Sequence, residues 1–235
     1  MTRIAIISDI HANLPALEAV FLELDKYKPD KWLCLGDIVG YGPYPSECID
    51  LIKERKIQTV LGNHDAGVAG IIGLNHFRDP NRKLIALTRK KLSKDQLEWL
   101  KDLPVKIENT KENYVAVHAS PIEPLKWAYV DSAIKARKII DKLNHKICFV
   151  GHTHMPAIVA DRIGVMNFEK DYRYLINPGS VGQSRDGDYR ASCMLLDIEK
   201  GSIETLRVEY PIEKVLSKLI DLGFSSREAH QLLRY

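Results

Sequence analysis

One pattern recurs along this chain and restricts what it can fold into: short apolar runs that each end in side chains able to bind a cation. Ile4-Ala5-Ile6-Ile7 leads to Asp9 and His11, and Trp32-Leu33-Cys34-Leu35-Gly36 leads to Asp37. Thr59-Val60-Leu61-Gly62 leads to Asn63, His64 and Asp65, Tyr114-Val115-Ala116-Val117 to His118, and Ile147-Cys148-Phe149-Val150-Gly151 to His152 and His154. Each run reads as a buried strand bounded by polar residues. Each polar cluster lies just past the carboxyl end, the edge where open α/β sheets bind ligands. A lone Asp at such a place is a cap or turn residue, and a lone His is a satisfied core residue. A whole row of them at apolar strand ends reads as the ligand set of a two-metal hydrolase.

The rest of the first half fits strand–helix units and a parallel core. Residues 3–8 read as a strand. Residues 14–26 place Leu14, Leu17, Val20, Phe21 and Leu24 on one helical face, with Pro15 suited to a first turn. Residues 31–35 read as a second strand, 44–54 as a helix entered through Gly-Tyr-Gly-Pro, and 57–61 as a third strand. Residues 66–103 break the rhythm as a helical insertion. It holds an amphipathic helix at 81–91 and a second helix from the Ser93/Gln96 capping box to about Asp102, stopped by Pro104. Such an insertion either covers the sheet or walls the site, and the two roles are compatible.

Residues 105–107 and 114–118 open the second half, followed by a helix at 130–143 and a strand at 146–150. From 157 the chain turns strand-rich, at 157–160, 164–168, 174–176, 192–198 and 202–208, read as antiparallel and joined by turns such as Asp186-Gly187-Asp188 and Glu199-Lys200-Gly201. Helices at 212–222 and from the Ser225/Glu228 cap close the chain. The expected organisation is one domain over residues 1–210, with residues 211–235 packed on it or at a homodimer interface.

The chain has 235 residues, a formal net charge of +3 and 28% charged residues. That charge is small and dispersed, which argues against a nucleic-acid surface. No apolar run approaches the roughly 20 residues of a membrane span, and Met1-Thr2-Arg3 runs straight into a strand pattern, so a cytoplasmic protein is expected. Of four cysteines, Cys34, Cys148 and Cys193 sit in apolar runs, and none of the four forms a Cys-x-x-Cys pair, so they read as small hydrophobes.

The motifs Asp9-Ile10-His11, Gly36-Asp37, Gly62-Asn63-His64-Asp65, His118 and Gly151-His152-Thr153-His154 stand in the order found in calcineurin-like metallophosphoesterases, which the chain resembles over residues 4–182. Gly40-Tyr41-Gly42-Pro43 and Asn177-Pro178-Gly179-Ser180-Val181-Gly182 resemble a small prokaryotic branch of phosphodiesterases and symmetrical diadenosine tetraphosphate hydrolase-like proteins. The resemblance implies an α/β fold, a four-layer αββα sandwich with two mixed β-sheets. It also implies two divalent metal ions: Asp9, His11, Asp37 and His154 on one, and Asp37, Asn63, His118 and His152 on the other. Manganese leads, with iron, zinc, nickel or magnesium as alternatives. On that resemblance His64 stays off the metals and faces the leaving group, Asp65 or a backbone carbonyl accepts the second ring hydrogen of His64, and Asn63 helps fix the geometry of the phosphate. Ala119 departs from the glycine that often follows the residue matching His118.

The function expected on this reading is a binuclear metal-dependent phosphoesterase, a phosphodiesterase or phosphatase that uses metal-activated water on a small phosphorylated or nucleotide substrate. Arg185, Tyr41, His76 and Gly179 are the candidate substrate contacts. The reading of a different class is a metal-stabilised binding or scaffolding protein on the same fold. The pair His64-Asp65 separates the two, because a scaffold has no physical need for an unliganded histidine beside the ions.

Overall fold

The structure is a computed structural model describing residues 2–165, 168–169 and 171–234. Strands β1 (Arg3–Ile7), β2 (Lys31–Cys34) and β3 (Gln58–Thr59) run parallel, and β9 (Ala191–Asp197) and β10 (Ser202–Val208) extend them antiparallel, giving a five-stranded sheet of order β10-β9-β1-β2-β3. A second five-stranded sheet has the order β4-β5-β6-β8-β7, built from β4 (Lys106–Asn109), β5 (Tyr114–Val117), β6 (Ile147–Phe149), β7 (Ala157–Ala160) and β8 (Tyr174–Asn177). In that sheet β5, β6 and β8 are mutually parallel, and β4 and β7 are antiparallel edges.

The central strands of each sheet are covered on both faces, which is why they read as continuous apolar runs, while the edge strands β4, β7 and β10 keep exposed residues. Successive side chains point to opposite faces. Ile4 and Ile6 of β1 join Tyr114, Ala116, Ile147, Phe149, Tyr174, Ile176, Met194 and Leu196 in a core between the sheets. Ala5 and Ile7 turn outward into a second core. Val115, Val117, Cys148 and Leu175 turn the other way, into a third core under α6 (Ala133–Ile140). The result is the four-layer αββα arrangement.

The helical layer over the first sheet begins with α1 (Leu14–Asp25). Asn13 caps it by accepting from the Ala16 N–H at 3.2 Å, and Ala16, Leu17, Val20, Phe21 and Leu24 are its buried face. In that layer follow α2 (Pro45–Glu54), α3 (Asn63–Ala69), α4 (Asn81–Lys91), α5 (Lys94–Lys101), α7 (Ile212–Asp221) and α8 (Ser226–Leu233), all contributing to one core with α1. The capping boxes of α5 and α8 form as expected. Gln96 of α5 also donates to Asp50 Oδ1 of α2 at 2.9 Å, which ties the insertion to the first half.

Several elements differ from expectation. The third strand shrinks to Gln58–Thr59 because the Leu61 N–H bonds instead to the Pro104 carbonyl at 2.8 Å. The helix expected at 130–143 starts only at Ala133, where Ser132 caps it. Of the strand expected at 164–168, Gly164 lies in a turn and Val165 and Phe168 are in no strand but pack against the inter-sheet core; Met166 and Asn167 lie outside the described residues. β8 is parallel to β6, so the second half is not wholly antiparallel. No helix among the described residues is long and apolar enough to cross a membrane.

Phe149 is fully buried between the sheets and meets Tyr114 edge-on at 5.4 Å. Phe149→Ala should cost about 3–5 kcal/mol of unfolding free energy. Ile163→Ala, at a residue 86% exposed, should cost almost nothing. Chemical denaturation of both variants checks the assignment of the inter-sheet core.

Candidate metal centre

The parallel strands of both sheets end toward the same place. Asp9 and His11 follow β1, Asp37 follows β2, Asn63 opens α3 just after β3, His118 follows β5, and His152 and His154 follow β6. Asp9, His11, Asp37, His152 and His154 all adopt positive φ, between 50° and 66°. For residues other than glycine that conformation costs on the order of 1–3 kcal/mol each, and it survives only where surrounding contacts enforce it. Backbone bonds between the loops supply that enforcement: Asp9 N–H to Gly36 O at 3.0 Å, His11 N–H to Asp37 O at 2.9 Å, and Gly151 N–H to His118 O at 2.7 Å. Gly62 is required at its position, because a Cβ there would fall 2.1 Å from Asp37 Oδ1.

The donor atoms converge in two adjoining groups. In the first, His11 Nε2 lies 3.0 Å from His154 Nε2, and Asp9 Oδ1 lies 3.3 Å from His154 Nε2 and 3.8 Å from His11 Nε2. In the second, His118 Nε2 lies 3.1 Å from His152 Nδ1, 3.2 Å from Asn63 Oδ1 and 3.3 Å from Asp37 Oδ2. Asp37 Oδ2 is also 3.7 Å from His11 Nε2, so one carboxylate oxygen faces both groups. Asp9 Oδ1 stands 4.0 Å from His118 Nε2.

The ring orientations are fixed from behind. His11 Nδ1 donates to Val39 O at 3.1 Å, His118 Nδ1 to Leu35 O at 2.7 Å, and His154 Nδ1 to Gln183 O at 2.5 Å. A carbonyl only accepts, so each Nδ1 carries the hydrogen and, in the neutral ring, each Nε2 turns a lone pair inward. His152 is the inverse case: its Nδ1 faces the group and its ring stacks on Tyr129 at 4.1 Å.

This arrangement lacks protons where they would be needed. Burial holds His11 and His154 well below the ordinary histidine range, so their facing Nε2 atoms are two lone pairs 3.0 Å apart. Burial also takes His152 down to about 3. Asp9 Oδ2 accepts from Ser8 Oγ and the His152 N–H, but Asp9 Oδ1 is buried without a hydrogen-bond donor. Burial pulls against the charge on Asp37 and His118 alike. Their mutual contact outweighs it, holding Asp37 well below the usual carboxylate range and lifting His118 to about 9. Buried acceptors without donors are costly. A divalent cation in each group would remove that cost, and mixed oxygen and imidazole donors are the chemistry such ions take.

The other candidates fall in different places. His64 lies beside the groups, with a ring nitrogen within 4.8 Å of donors of His11 and Asp37. Its ring meets Tyr41 at 4.7 Å and Phe77 at 5.2 Å, its Nδ1 is buried without a partner, and burial pushes its pKa down to about 4. Asp65 does not accept from His64. Its carboxylate takes the N–H groups of Asp37 at 2.8 Å, Gly62 at 3.1 Å and Val39 at 3.1 Å, so it clamps the loop that carries Asp37. Tyr41 and His76 line a cavity of about 630 Å³ that opens on Asn63 and His64. Arg185 is half-buried, bonded to Gln183 Oε1 at 2.9 Å and to the Tyr41 hydroxyl at 3.3 Å. Gly179 is not in that cavity. It is buried against Ser192 with its N–H bonded to Asn177 Oδ1 at 2.9 Å, and its φ of +80° makes it a turn residue.

Sequence reasoning missed the carbonyls of Leu35, Val39 and Gln183, the Ser8 hydroxyl, and Tyr129 behind His152. Only Ser8, adjacent to Asp9, carried a sequence signal.

A sequence profile described as "Calcineurin-like phosphoesterase superfamily domain" matches residues 2–201. An uncharacterized protein of Methanocaldococcus jannaschii is 40% identical over 228 residues, covering 93% of this chain and 92% of that protein. The crystal structure of a metallophosphoesterase from Sphaerobacter thermophilus superposes with a TM-score of 0.83 at 36% identity, covering 98% of each chain. A symmetrical bis(5'-nucleosyl)-tetraphosphatase of Actinobacillus pleuropneumoniae is 29% identical over 139 residues, and that match spans 57% of this chain and 50% of the enzyme's length.

Asp65→Asn should leave at least one clamped N–H without an acceptor and destabilise the protein by about 1–3 kcal/mol. It should also weaken manganese binding through Asp37. Titration calorimetry together with denaturation checks this; a variant that lost only turnover would return Asp65 to a role on His64. In the unsubstituted protein, manganese at a hundred times its dissociation constant should add about 2.7 kcal/mol of stability, and His154→Ala should abolish most of that gain.

Proposed function

The chain belongs to the calcineurin-like phosphoesterase superfamily and is a metal-dependent phosphoesterase; from that premise we propose that it is a binuclear phosphodiesterase acting on a small nucleotide-like phosphoester. The observation that carries the proposal is the convergence of buried oxygen and nitrogen donors from both sheets, with Asp9 Oδ1 left without a hydrogen-bond donor beside two imidazole lone pairs in the first group. Asp9, His11, Asp37 and His154 would hold one cation, and Asp37, Asn63, His118 and His152 the other, with manganese the ion we expect. Cations held there supply positive charge to the phosphoryl oxygens and make a water acidic enough to serve as nucleophile at neutral pH.

The chain's own residues do the rest. Asp37 sets the relation between the two groups, because its Oδ2 faces both while its Oδ1 is fixed by the His64 N–H at 2.8 Å. The carbonyls behind His11, His118 and His154 hold those rings rigid, which limits reorganisation during reaction. His64 stands at the mouth of the cavity, where a ring N–H meets the leaving oxygen of a phosphoester. Arg185, braced by Gln183 and Tyr41, adds positive charge beside it; its field is felt at His64 and His152. Tyr41, Phe77 and Tyr129 line the same cavity and offer flat surfaces to a leaving group. The likeness to a bis(5'-nucleosyl)-tetraphosphatase supports a nucleotide as the class of that leaving group.

The test is hydrolysis of bis-p-nitrophenyl phosphate and p-nitrophenyl phosphate by protein stripped of metal and reloaded with manganese, followed by a panel of cyclic nucleotides, dinucleoside polyphosphates, phosphoproteins and single-stranded nucleic acid. Manganese-dependent diester cleavage is expected. Absence of turnover on every substrate with every metal would leave the scaffold reading. His64→Ala should lower kcat by about 10²–10⁴ while the bound metal stays at the level of the unsubstituted protein; loss of metal with turnover intact would refute its place at the leaving group.

A further inference from the structure

Three parts of the molecule meet at Gln183, and holding the metal ligands accounts for only one of its contacts. Its backbone carbonyl fixes the His154 ring, while its side chain, 2% exposed, reaches in two other directions. The amide nitrogen donates to the carbonyl of Leu232 in the last turn of α8. The amide oxygen accepts from Arg185 Nε at 3.1 Å and from Arg185 Nη2 at 2.9 Å. We propose that Gln183 is a positioning residue: through its amide, the end of α8 aims the Arg185 guanidinium at the bound phosphoryl group and holds it there without neutralising it. The inference rests on the reading of Arg185 as a substrate contact and names what makes it one.

Hydrogen-bond chemistry fixes the direction of the amide. A carbonyl only accepts, so the Leu232 oxygen must face the amide nitrogen of Gln183. The amide oxygen is then turned the other way, toward a guanidinium that only donates. Leu232 lies where helix carbonyls lack a partner within the helix, and it is buried, so the bond to Gln183 fills that need. The junction requires an uncharged amide. An ionised glutamate would offer acceptors alone, and methionine would offer neither group.

The second argument is the charge that this mounting leaves free. Elsewhere Arg55, Arg190 and Arg207 are ion-paired with aspartates. Arg185 is held instead by the uncharged oxygens of Gln183 and, at 3.3 Å, of the Tyr41 hydroxyl, and among the described residues no carboxylate pairs with it. Burial is the main cause of the low pKa of His11, His64 and His154, and the Arg185 charge adds to it in each, which places that charge close to the donor cluster. Nε and Nη2 carry the contacts to Gln183 and Tyr41, so the two N–H groups of Nη1 are left for a phosphoryl oxygen. A guanidinium fixed in this way needs little reorganisation when that oxygen arrives.

The backbone of Gln183 is secured independently of its side chain. Ser180 Oγ accepts from the Gln183 N–H at 2.8 Å and donates to Asp9 O at 2.8 Å, and the Gly182 N–H donates to Asp9 O at 3.0 Å. A change confined to the side chain therefore leaves the carbonyl on His154, which separates the aiming of Arg185 from the binding of metal.

The experiment is a double-substitution cycle of Gln183→Met, Arg185→Met and the pair, with Gln183→Glu as a fourth variant. Thermal melts confirm folding, and titration calorimetry gives manganese affinity. The readouts are orthophosphate affinity at equal free manganese and kcat/KM for bis-p-nitrophenyl phosphate. Arg185→Met and Gln183→Met should each lower both by roughly tenfold or more, the scale of a lost hydrogen bond to a charged group, with manganese affinity kept within about twofold. The pair should lose no more than Arg185→Met alone, because residues that act as one unit are not additive. Gln183→Glu should lose as much as Gln183→Met, although it keeps an acceptor for Arg185. Losses that multiply in the pair, a Gln183→Met protein that loses manganese, or an Arg185→Met or Gln183→Glu protein that binds orthophosphate as tightly as the unsubstituted one would each overturn the proposal. Non-additive orthophosphate binding without turnover of any ester by the unsubstituted protein would sink the phosphodiesterase reading and leave the positioning role standing.

Discussion

Lone pairs facing lone pairs in a water-poor interior set the terms for this molecule. His11 Nε2 and His154 Nε2 meet at 3.0 Å, and Asp9 Oδ1 meets both without a donor. Left alone this is a costly cluster. It is held together by left-handed backbone at five of the converging residues, glycines where a single methyl group would strike a carboxylate, and carbonyls that fix the rings of His11, His118 and His154 from behind. The cost is understandable if cations complete the cluster, and the rigidity that accompanies it is what a phosphoryl-transfer site requires.

The two sheets serve that cluster directly. Each supplies parallel strands whose carboxyl ends turn toward the same edge, so side chains able to bind a cation, far apart in the chain, arrive on short loops from rigid elements. The central strands are buried on both faces by different cores, which removes freedom of register: a one-residue slip would exchange Ile4 and Ile6 with Ala5 and Ile7 and move Asp9 off the edge. The helical insertion does two jobs. Leu84, Ile85, Leu92 and Leu100 complete the outer core of the first sheet, while the start of α4 walls the cavity beside His64. The terminal helices also do more than cover apolar surface, since α8 ends at the same cavity and the Leu232 carbonyl accepts a hydrogen bond from buried Gln183.

Much of this was legible along the chain, and the misses have physical causes. Apolar runs with polar ends located the strands that carry the converging donors, because burial on both faces leaves nothing polar until a strand stops. Capping residues marked α5 and α8 correctly because caps are local. The third strand was overextended because Leu61 bonds to Pro104, a partner distant in sequence. The family resemblance placed Asp65 on the ring of His64, but at the start of α3 its carboxylate points back at the N–H groups of Gly62, Asp37 and Val39. Gly179 looked like a residue of close ligand approach and proved to be one of close approach to Ser192.

The amino-acid sequence alone determined the alternation of strands and helices, the burial of both sheet faces and the identity of the residues able to bind a cation, because each of these follows from local periodicity and side-chain chemistry. Tertiary structure alone decided that those residues meet within a few ångströms, that His152 presents Nδ1 where its neighbours present Nε2, and that Arg78 and Arg234 share a wall with α4. Those outcomes depend on where two separately formed sheets and a distant terminal helix come to rest against one another, and pairing over such separations leaves no periodic trace in the chain.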